Sequence, residues 1–410
     1  MKYVPVKLLN VFLASSDNRL EVGRLALIRR KIYFEYSPSF IASGLEISPS
    51  KLPLEPGARA SATSIFDGLF GVFNDSLPDG WGRLLLDRQV QSRGIAPEKL
   101  GPLDRLTHVG KFGMGALVYE PNEPQVSKHS NQLDLDRLAE ESVRVFESEV
   151  EEISPELLEL SGSSAGARPK IMVGISDDQK QFIHGQQDLP PGFEHWMIKF
   201  ASNQERSDTG NIEYAYSLMA RKAGIEMTPT QLFSAKKRIG YFGVKRFDRV
   251  FNNRVHMHSL SGLIDANHQM PSIDYDHVLR ATYFLTKDIS EVKKAFRLAC
   301  FNVFAHNRDD HAKNFAFLMD EKGKWRLSPA YDLTFSNGPG GEHCTTVSGE
   351  GRAPDSTHLL SLAATFSIPA KEAKQTIEQV RSVVSDWKKY VEMSGVSRTS
   401  ATLIGKEISS

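Results

Sequence analysis

The stretch HNRDDHAKNFAF, residues 306–317, places acidic, amide, imidazole and basic side chains between apolar segments. Within it, Asp309 and Asn314 stand as D-x-x-x-x-N. Phosphoryl transfer requires a carboxylate within hydrogen-bond reach of the attacking hydroxyl, and an uncharged oxygen that helps to hold Mg²⁺ near the phosphates. Protein-kinase catalytic loops present both groups at this spacing. The spacing predicts Asp309 as a base and Asn314 as a metal ligand, although the pattern also arises by chance and an Asp beside a turn is often a cap.

A second carboxylate follows at a kinase-like interval. Asp332 lies in LSPAYDLTF, eighteen residues after Asn314. The apolar run FAFL and the turn DEKGK separate the two as a β-hairpin would. Asp332 is therefore the candidate for the second metal ligand, the role that the DFG aspartate has in kinases.

Three earlier features stand in the order that kinases use. The loop SGSSAGARPK has small residues whose backbone N–H groups could approach phosphates closely, although it is not a Walker A motif. Lys199 lies inside the apolar stretch HWMIKFAS and could reach the α and β phosphates. Glu213, on the following predicted helix, is its candidate ion-pair partner. The alternatives are an edge-strand lysine and an exposed helix charge.

The elements that must position these residues divide the chain by type. The first 250 residues alternate short apolar runs with turns, which predicts a β-rich and mixed region that begins with the strands VKLLNVFLA, EVGRLALI and KIYFEYS. From about residue 275 helical periodicity dominates. In the early part, Pro78, Asp79 and Gly80 predict a turn before a short helix, with Trp81 as a packing anchor. Glycines 110, 113 and 115 favour tight backbone packing over a nucleotide fingerprint.

The composition is that of an ordinary globular protein. The chain has 410 residues, with 50 basic and 50 acidic side chains, so no global field marks it as a nucleic-acid or membrane binder. Its two cysteines, Cys300 and Cys344, form no CxxC pair, which favours a reducing compartment and predicts the cytoplasm. The N-terminal stretch lacks a clean cleavage site, and no apolar run is long enough to span a bilayer, so no membrane association is expected.

Several of these strings together resemble one family. NRDDHAKNFAF, LSPAYDL, GSSAGARPK, VKRFDR, HMHSLSGL and SLPDGWG are similar to the HipA family of serine/threonine kinase toxins from bacterial toxin–antitoxin pairs, over essentially the whole chain. The resemblance implies an α+β, protein-kinase-like fold of two lobes, with an extra N-terminal β-rich subdomain and an all-helical C-terminal lobe. We accordingly expect three regions, which are a β-rich subdomain over 1–120, a kinase N-lobe-like region over 121–250 and a helical C-lobe over 251–410.

The resemblance also implies roles for individual residues. It agrees with the spacing in making Asp309 the base, and Asn314 and Asp332 the Mg²⁺ ligands. The implied ATP contacts come from the phosphate-binding loop, the strand lysine, the hinge and the catalytic segments, and are Ala165, Gly166, Ala167, Arg168, Lys170, Lys199, Lys245, Arg246, Phe247, His311, Lys313 and Tyr331. Family members often carry an acid where Lys245 stands, and because hinge contacts run mostly through backbone we expect this departure to be tolerated.

The serines of the SGSS segment suggest regulation. In the family, a serine at the start of this loop is autophosphorylated, which expels the loop and silences the kinase. The match points to Ser163, with Ser161 and Ser164 as neighbouring alternatives. A phosphate of roughly two negative charges would compete with ATP for the same amides and basic groups. Helix-capping or turn serines are the alternative interpretation.

The resulting hypothesis is an ATP- and Mg²⁺-dependent serine/threonine kinase that acts as a growth-arresting toxin. The family suggests an aminoacyl-tRNA synthetase as the protein substrate. It also implies a HipB-like antitoxin with a helix-turn-helix, which would bring the chain to operator DNA as a corepressor. Two rivals stay open. One is a small-molecule or lipid kinase of the same fold, and the other is a catalytically silent corepressor bound to DNA.

Overall fold

The structure is a computed structural model that describes residues 3–15, 19–122, 132–149, 152–161, 164, 166–186, 188–236 and 240–408. It divides into two compact units. The first unit comprises Met1–Ser207, Ser234–His258 and Met319–Gly323, and the second comprises Asp208–Phe233, Ser259–Leu318 and Lys324–Ser410. The region boundaries at residues 120 and 250 stay predictions.

Up to residue 207 the elements alternate between strands and short helices. The strands are β1 (Leu8–Ala14), β2 (Arg19–Ile28), β3 (Lys31–Tyr36), β4 (Arg59–Ala60), β5 (Leu117–Glu120), β6 (Lys170–Ser176), β7 (Phe182–His184) and β8 (Phe193–Lys199). The helices are α1 (Pro38–Ser43), α2 (Gly71–Asn74), α3 (Gly80–Ser92), α4 (Pro102–Val109), α5 (Leu135–Phe146) and α6 (Pro155–Ser161). A 3₁₀ turn spans Pro97–Lys99.

After residue 207 the helices are longer and the strands are short. The strands are β9 (Thr230–Phe233), β10 (Tyr241–Lys245), β11 (Arg249–Val250), β12 (Asn253–Arg254), β13 (His256–Ser259), β14 (Ile273–Asp274), β15 (Ala316–Met319), β16 (Trp325–Leu327) and β17 (Thr345–Thr346). The helices are α7 (Thr209–Lys222), α8 (Leu260–Ile264), α9 (Tyr275–Thr286), α10 (Ile289–Phe304), α11 (Ser356–Thr365), α12 (Ala370–Ser385), α13 (Trp387–Ser394) and α14 (Arg398–Ile408). Further 3₁₀ turns span Ala312–Asn314 and Pro339–Gly341.

The N-terminal part of the first unit is built on an antiparallel sheet in the order β4-β3-β2-β1-β5. Along β3, Ile32, Phe34 and Tyr36 are buried while Lys31 and Glu35 are exposed. This alternation buries one face of the sheet and leaves the other in solvent. The predicted β-rich N-terminal module is therefore present.

A second antiparallel sheet of the first unit has the order β7-β6-β8-β10. Strand β6 is buried along nearly its whole length, which is typical of a central strand covered on both faces. The loop that precedes β6 is the Gly/Ser loop of the sequence, and β8 ends at Lys199. This sheet therefore carries the residues that are expected to meet phosphates.

A buried arginine cluster holds the glycine-rich turn near residue 113. The Asp248 carboxylate is fully buried and accepts bonds from Arg246 and Arg249 at 2.8–2.9 Å, and from the backbone N–H of Gly115 at 2.8 Å. Burial alone would raise the pKa of Asp248, but the two guanidinium charges outweigh it and hold the pKa below its ordinary value. Arg249 also donates to the carbonyl oxygens of Gly113 and Gly115. These glycines thus serve backbone packing.

The buried His256 makes the stability of the first unit depend on pH. Burial lowers the pKa of His256 to about 4 from its ordinary 6.5, and its Nε2 donates to the carbonyl of Ile47 at 2.9 Å. At pH values between about 4 and 6.5, His256 is protonated in the unfolded chain and neutral in the folded chain. The contribution of His256 to the free energy of unfolding is therefore constant above pH 6.5. It falls as the pH is lowered to 4, by up to about 1.4 kcal/mol per pH unit.

We expect His256→Gln to lose less stability than the wild type when the pH is lowered from 7 to 5, because glutamine does not titrate. The measurement is the midpoint of urea unfolding at both pH values. His277→Gln is the control, since His277 is exposed and glutamine can also serve its capping position at the start of α9. Equal pH slopes for the wild type and His256→Gln would show that His256 does not titrate as described.

The second unit is mainly helical. The expectation of an all-helical C-terminal lobe is wrong in detail, because the short strands β14, β16 and β17 lie within residues 251–410. Helix α9 begins at Tyr275, where helical periodicity was expected to take over, and is capped by Asp274. Asp386 separates α12 from α13 and directs Trp387 onto Tyr216, with ring centroids 5.8 Å apart. Tyr216 is fully buried, a burial that contributes about 1.5–3 kcal/mol. The mixed α+β fold class is confirmed. Among the described residues, no helix is long and apolar enough to cross a membrane.

Candidate functional site

The loop after α10 presents the predicted base. The side chain of Asp309 is 54% exposed. The main-chain oxygen of Asp309 accepts a 2.7 Å hydrogen bond from the side-chain nitrogen, Nδ2, of Asn314. The backbone N–H of Asn314 in turn donates to the carbonyl of His311 at 2.8 Å, which closes the 3₁₀ turn. His311 Nε2 lies 4.0 Å from Asp309 Oδ1. The loop thus fixes Asp309 and Asn314 relative to each other and leaves the carboxylate accessible.

The neighbouring Asp310 has the opposite environment. It is 1% exposed and accepts hydrogen bonds from the Tyr275 hydroxyl at 2.8 Å, from His343 Nδ1 at 2.9 Å and from the Thr345 N–H at 3.2 Å. Tyr275 accepts a further 2.8 Å bond from Asn302, on α10. These partners come from two helices and from a loop far along the chain. Asp310 therefore anchors the loop, and Asp309 projects from it.

The hairpin of β15 and β16 brings the segment of Asp332 back to this loop. The N–H of Ser328 donates to the carbonyl of Ala316 at 2.9 Å, which pairs the two ends of the hairpin. The hydroxyl of Tyr331 donates to the carbonyl of Lys313 at 2.5 Å. Asp332 has a φ of +56°, a conformation that is uncommon outside glycine and is typically held by its surroundings at functional sites. The predicted base and the two predicted metal ligands therefore sit on adjacent segments of one unit.

The donor set on these segments fits a hard divalent cation. Carboxylate and amide oxygens are the ligands that Mg²⁺ prefers. The side-chain nitrogen of Asn314 is bonded to the carbonyl of Asp309, so its side-chain oxygen is the atom that can meet a cation. Over the part of the chain that the structure describes, no group of three or more His, Cys, Asp and Glu side chains could hold a metal. The predicted Mg²⁺ ligands are one carboxylate and one amide, and water and phosphate would complete the coordination.

In the first unit, two lysines face each other in the second sheet. Lys170 on β6 pairs in register with Lys199 on β8, and the two residues are only 4% and 9% exposed. Directly opposite residues in an antiparallel pair share a face, so both lysine side chains lie on the same face of the sheet. The Lys199 ammonium lies 5.7 Å from the centroid of the Phe242 ring. Two positive charges on one buried face are a suitable surface for an anion.

The Gly/Ser loop is described in part. Ser163 and Ala165 lie outside the described residues, so nothing is said of their structure. Ser161 and Ser164 are both fully buried, and the Ser164 hydroxyl donates to the carbonyl of Ser161 at 2.7 Å. In this conformation neither of these two hydroxyls is accessible to a kinase. The autophosphorylation of this loop stays a prediction.

Charged side chains contact the remaining part of the loop, residues 166–170. Ala167 is exposed, and Arg168 forms a 2.6 Å ion pair with Glu205. The Lys170 ammonium lies against Gly166 at the place where any side chain would project, and Gly166 has a φ of +90°. Only glycine fits this position.

The segment that was predicted to be the hinge lies at the end of β10, and its role stays a prediction. Lys245 stands where family members often carry an acid. Its positive charge is balanced by an ion pair with Glu194. The Arg246 side chain is buried on Asp248, and its N–H donates to the carbonyl of His195 at 2.9 Å. Phe247 is half-buried. A nucleotide contact of Arg246 would therefore involve its backbone and not its guanidinium group.

Lys199 and Glu213 belong to different units, and their pairing stays a prediction. Glu213 is 2% exposed on α7, so the alternative of an exposed helix charge is wrong. Lys199 is buried within the sheet between β6 and β10, so the edge-strand alternative is also wrong. Burial of both charges is what a functional pair requires, since buried charges need compensation.

The histidines of HMHSL have structural partners. His258 is fully buried and bonds to Asp75 Oδ2 through Nδ1 at 2.6 Å and to the Ser48 hydroxyl through Nε2 at 2.9 Å. His256 bonds to the carbonyl of Ile47. Both rings therefore connect β13 to the segments around residues 47 and 75 of the same unit, which is a structural role.

Two protein-family models match the chain. Residues 9–120 match the model described as HipA N-terminal domain. Residues 162–387, more than half of the chain, match the model described as HipA-like C-terminal domain. The chain belongs to the HipA family.

Solved structures agree at the level of fold. A chain of the Shewanella oneidensis MR-1 toxin–antitoxin complex of HipA, HipB and operator DNA superposes with a TM-score of 0.71 and 17% identity, over 98% of this HipA-family chain and 95% of the other. At that identity the likeness shows the fold alone. The Helicobacter pylori proinflammatory kinase CtkA is much less similar, with a TM-score of 0.35 at 13% identity, over 52% of this chain and 90% of CtkA.

One curated relative is matched over a limited length. It is "Putative kinase Y4dM" of Sinorhizobium fredii (strain NBRC 101917 / NGR234), 26% identical over 151 residues. The match covers 34% of this HipA-family chain, which spans about a third, 36%, of the length of that relative.

Two features of this HipA-family site were missed from the sequence. The first is the anchoring of Asp310 by Tyr275, His343 and Thr345, for which the only signal was the doubled aspartate at 309 and 310. The second is the contact of Asp79 with Gly166, where the sequence indicated a turn and nothing more. In both cases the partners are distant along the chain, so no spacing rule connects them.

Proposed function

We propose that this HipA-family chain is an ATP- and Mg²⁺-dependent kinase that phosphorylates serine or threonine hydroxyls of proteins, as the toxin of a toxin–antitoxin pair. The observation that carries the proposal is the base of the β15–β16 hairpin. There, the bond from Tyr331 to Lys313 holds the segment of Asp332 beside the loop of Asp309 and Asn314. Membership of the HipA family supports the same reading.

The residues divide the chemistry between them. The exposed Asp309 carboxylate would accept the proton of the attacking hydroxyl. Asn314 and Asp332 would hold Mg²⁺, which when bound offsets the charge of the triphosphate. Lys170 and Lys199 would offer their ammonium groups to phosphate oxygens, since both lie on the same buried face of the sheet. Backbone N–H groups of the Gly/Ser loop would contribute further contacts to phosphate.

The partners follow from the family and its solved complex. The Shewanella oneidensis HipA is described in a complex with HipB and operator DNA. We propose that this chain likewise binds a HipB-like antitoxin with a helix-turn-helix, which brings it to operator DNA as a corepressor. The protein substrate would be of the aminoacyl-tRNA synthetase class, and the site of action the cytoplasm. In the absence of the antitoxin the phosphorylation would arrest growth.

Transfer of label from γ-³²P-ATP tests the activity. With Mg²⁺ we expect label on the protein itself, at a serine of residues 161–164, and on proteins of a cell extract. Chelation of Mg²⁺ with EDTA should abolish both, because the donor set of Asn314 and Asp332 requires a cation to hold the phosphates. Readdition of Mg²⁺ in excess of the chelator should restore transfer.

Other outcomes would favour the rivals. Label on a lipid or metabolite, with none on protein, would favour a small-molecule kinase. Growth arrest by Asp309→Ala as strong as by the wild type would favour a catalytically silent corepressor. Phosphoproteomics after expression of the wild type and of Asp309→Ala would identify the substrates, which should be phosphorylated only in the first.

A further inference from the structure

The turn before α3 meets the Gly/Ser loop through bonds to both backbone groups of one residue, Gly166. The N–H of Gly166 donates to the carboxylate of Asp79. The carbonyl of Gly166 accepts a 3.0 Å bond from the N–H of Trp81. The indole N–H of Trp81 donates to the carbonyl of Lys170 at 3.2 Å. The turn therefore binds the loop at Gly166 and again at Lys170, its last residue.

Two glycines of the turn make this approach possible. A Cβ added to Gly80, whose φ is +41°, would lie 2.6 Å from the carbonyl oxygen of Gly166 and 2.7 Å from the Cα of Ala167. A Cβ added to Gly82 would overlap the carbonyl oxygen of Ser164 and lie 3.1 Å from its nitrogen. The first turn of α3 thus touches the loop backbone directly, with no room for side chains between them.

The Asp79 carboxylate accepts a hydrogen bond from the loop and none from the first turn of its own helix. It occupies the N-cap position of α3, where an aspartate side chain typically accepts from the N–H groups of the first turn and contributes about 1 kcal/mol. No such capping bond from Asp79 is present in α3. The carboxylate is directed instead to Gly166, 87 residues further along the chain. The local stabilisation is forgone for a long-range contact.

We propose that the turn Asp79–Gly82 is a positioning element for the phosphate-binding loop. The proposal rests on the proposed function, since it assigns the loop to phosphate. The turn holds the backbone of Gly166 in place. It thereby positions the Lys170 ammonium, which lies directly against Gly166. Asp79 acts through Gly166 and does not itself hold the nucleotide. The N-terminal β-rich part of the chain thereby determines the affinity for the triphosphate.

Three variants and a control separate positioning from other roles. Gly82→Ala would push on Ser164, and Asp79→Ala would release the Gly166 N–H, so both should raise the KM for ATP about tenfold while kcat at saturating ATP changes less than about twofold. Asp79→Asn should restore most of the affinity, because the amide oxygen can accept the same bond. Gly101→Ala is the control, since its Cβ would meet only the Asp104 carboxylate, at an ordinary 3.4 Å.

Binding of adenosine provides a second readout. It should stay unchanged in all variants, because adenosine has no phosphate for the loop to bind. A KM for ATP at the wild-type value in Gly82→Ala and Asp79→Ala would overturn the proposal. Tighter ATP binding by both Asp79 variants would also overturn it, since Asp79 would then be a competitor of the phosphates.

Amide hydrogen exchange in the segment 164–170 distinguishes failure of this inference from failure of the proposed function. Faster exchange in Gly82→Ala and Asp79→Ala than in the wild type would show that the turn holds the loop, even if the wild type bound no ATP and the proposed function failed. Unchanged exchange would overturn the inference, whatever the wild type does with ATP.

Discussion

Replacing Asp309 by alanine should lower kcat for phosphoryl transfer about 10³-fold, while the Kd for ATP changes less than about threefold. The side chain is the proposed base and is 54% exposed, so its loss removes a proton acceptor without opening a cavity. The bond that positions Asn314 goes to the main-chain oxygen of residue 309, which alanine retains. The metal ligand therefore stays in place when the base is removed.

Single-turnover transfer from labelled ATP and equilibrium ATP binding measure the two quantities. Asp320→Ala is the matched control, since Asp320 is an exposed aspartate at the turn of the β15–β16 hairpin in the same region of the chain. Both variants should melt within about 1 °C of the wild type, because surface substitutions change stability by about 0.5 kcal/mol or less. Transfer by Asp309→Ala at more than a tenth of the wild-type rate would exclude Asp309 as the base.

Replacing the adjacent Asp310 by alanine should destabilise the second unit by about 3–5 kcal/mol and abolish transfer with it. The carboxylate is 1% exposed, and its removal would leave the Tyr275 hydroxyl and His343 Nδ1 buried without their acceptor. The Thr345 N–H would lose its acceptor as well. The loop that carries Asp309 would then lose the contacts that hold it to α9 and to the segment 343–345.

Urea unfolding followed by far-UV circular dichroism gives the free energy of unfolding for each variant. Tyr275→Phe is the graded companion, since it deletes one donor and keeps the ring, and it should cost about 1 kcal/mol. A midpoint for Asp310→Ala equal to that of the wild type would contradict the anchoring role. Together the two neighbouring substitutions should separate the functions, with Asp309 affecting rate alone and Asp310 affecting stability first.

Much of the fold follows from local patterns that the sequence shows directly. Helix α9 begins at Tyr275, where the periodicity indicates that helices begin to dominate. The hairpin follows from the apolar run FAFL and the turn after it, and the N-terminal strands follow from their alternation. These elements are decided by interactions between residues a few positions apart, which a linear pattern records.

The candidate site was predicted where its members share a short segment. Asp309 and Asn314 lie five residues apart, and their spacing was enough to find the loop. The anchoring role of Asp310 was beyond the sequence, because it depends on contacts with Tyr275 and His343. Those partners lie 35 and 33 residues away and reach the loop only through tertiary packing.

By itself the sequence indicated the family, many of the elements and the loop with its predicted base and amide. Only the tertiary structure decided that Lys170 stands opposite Lys199 and that Asp79 holds Gly166. The first depends on the register of two strands, in which a shift of one residue would turn one lysine to the other face of the sheet. The second depends on an approach of two backbones that two glycines permit, and no local spacing encodes where the chain will return to meet itself.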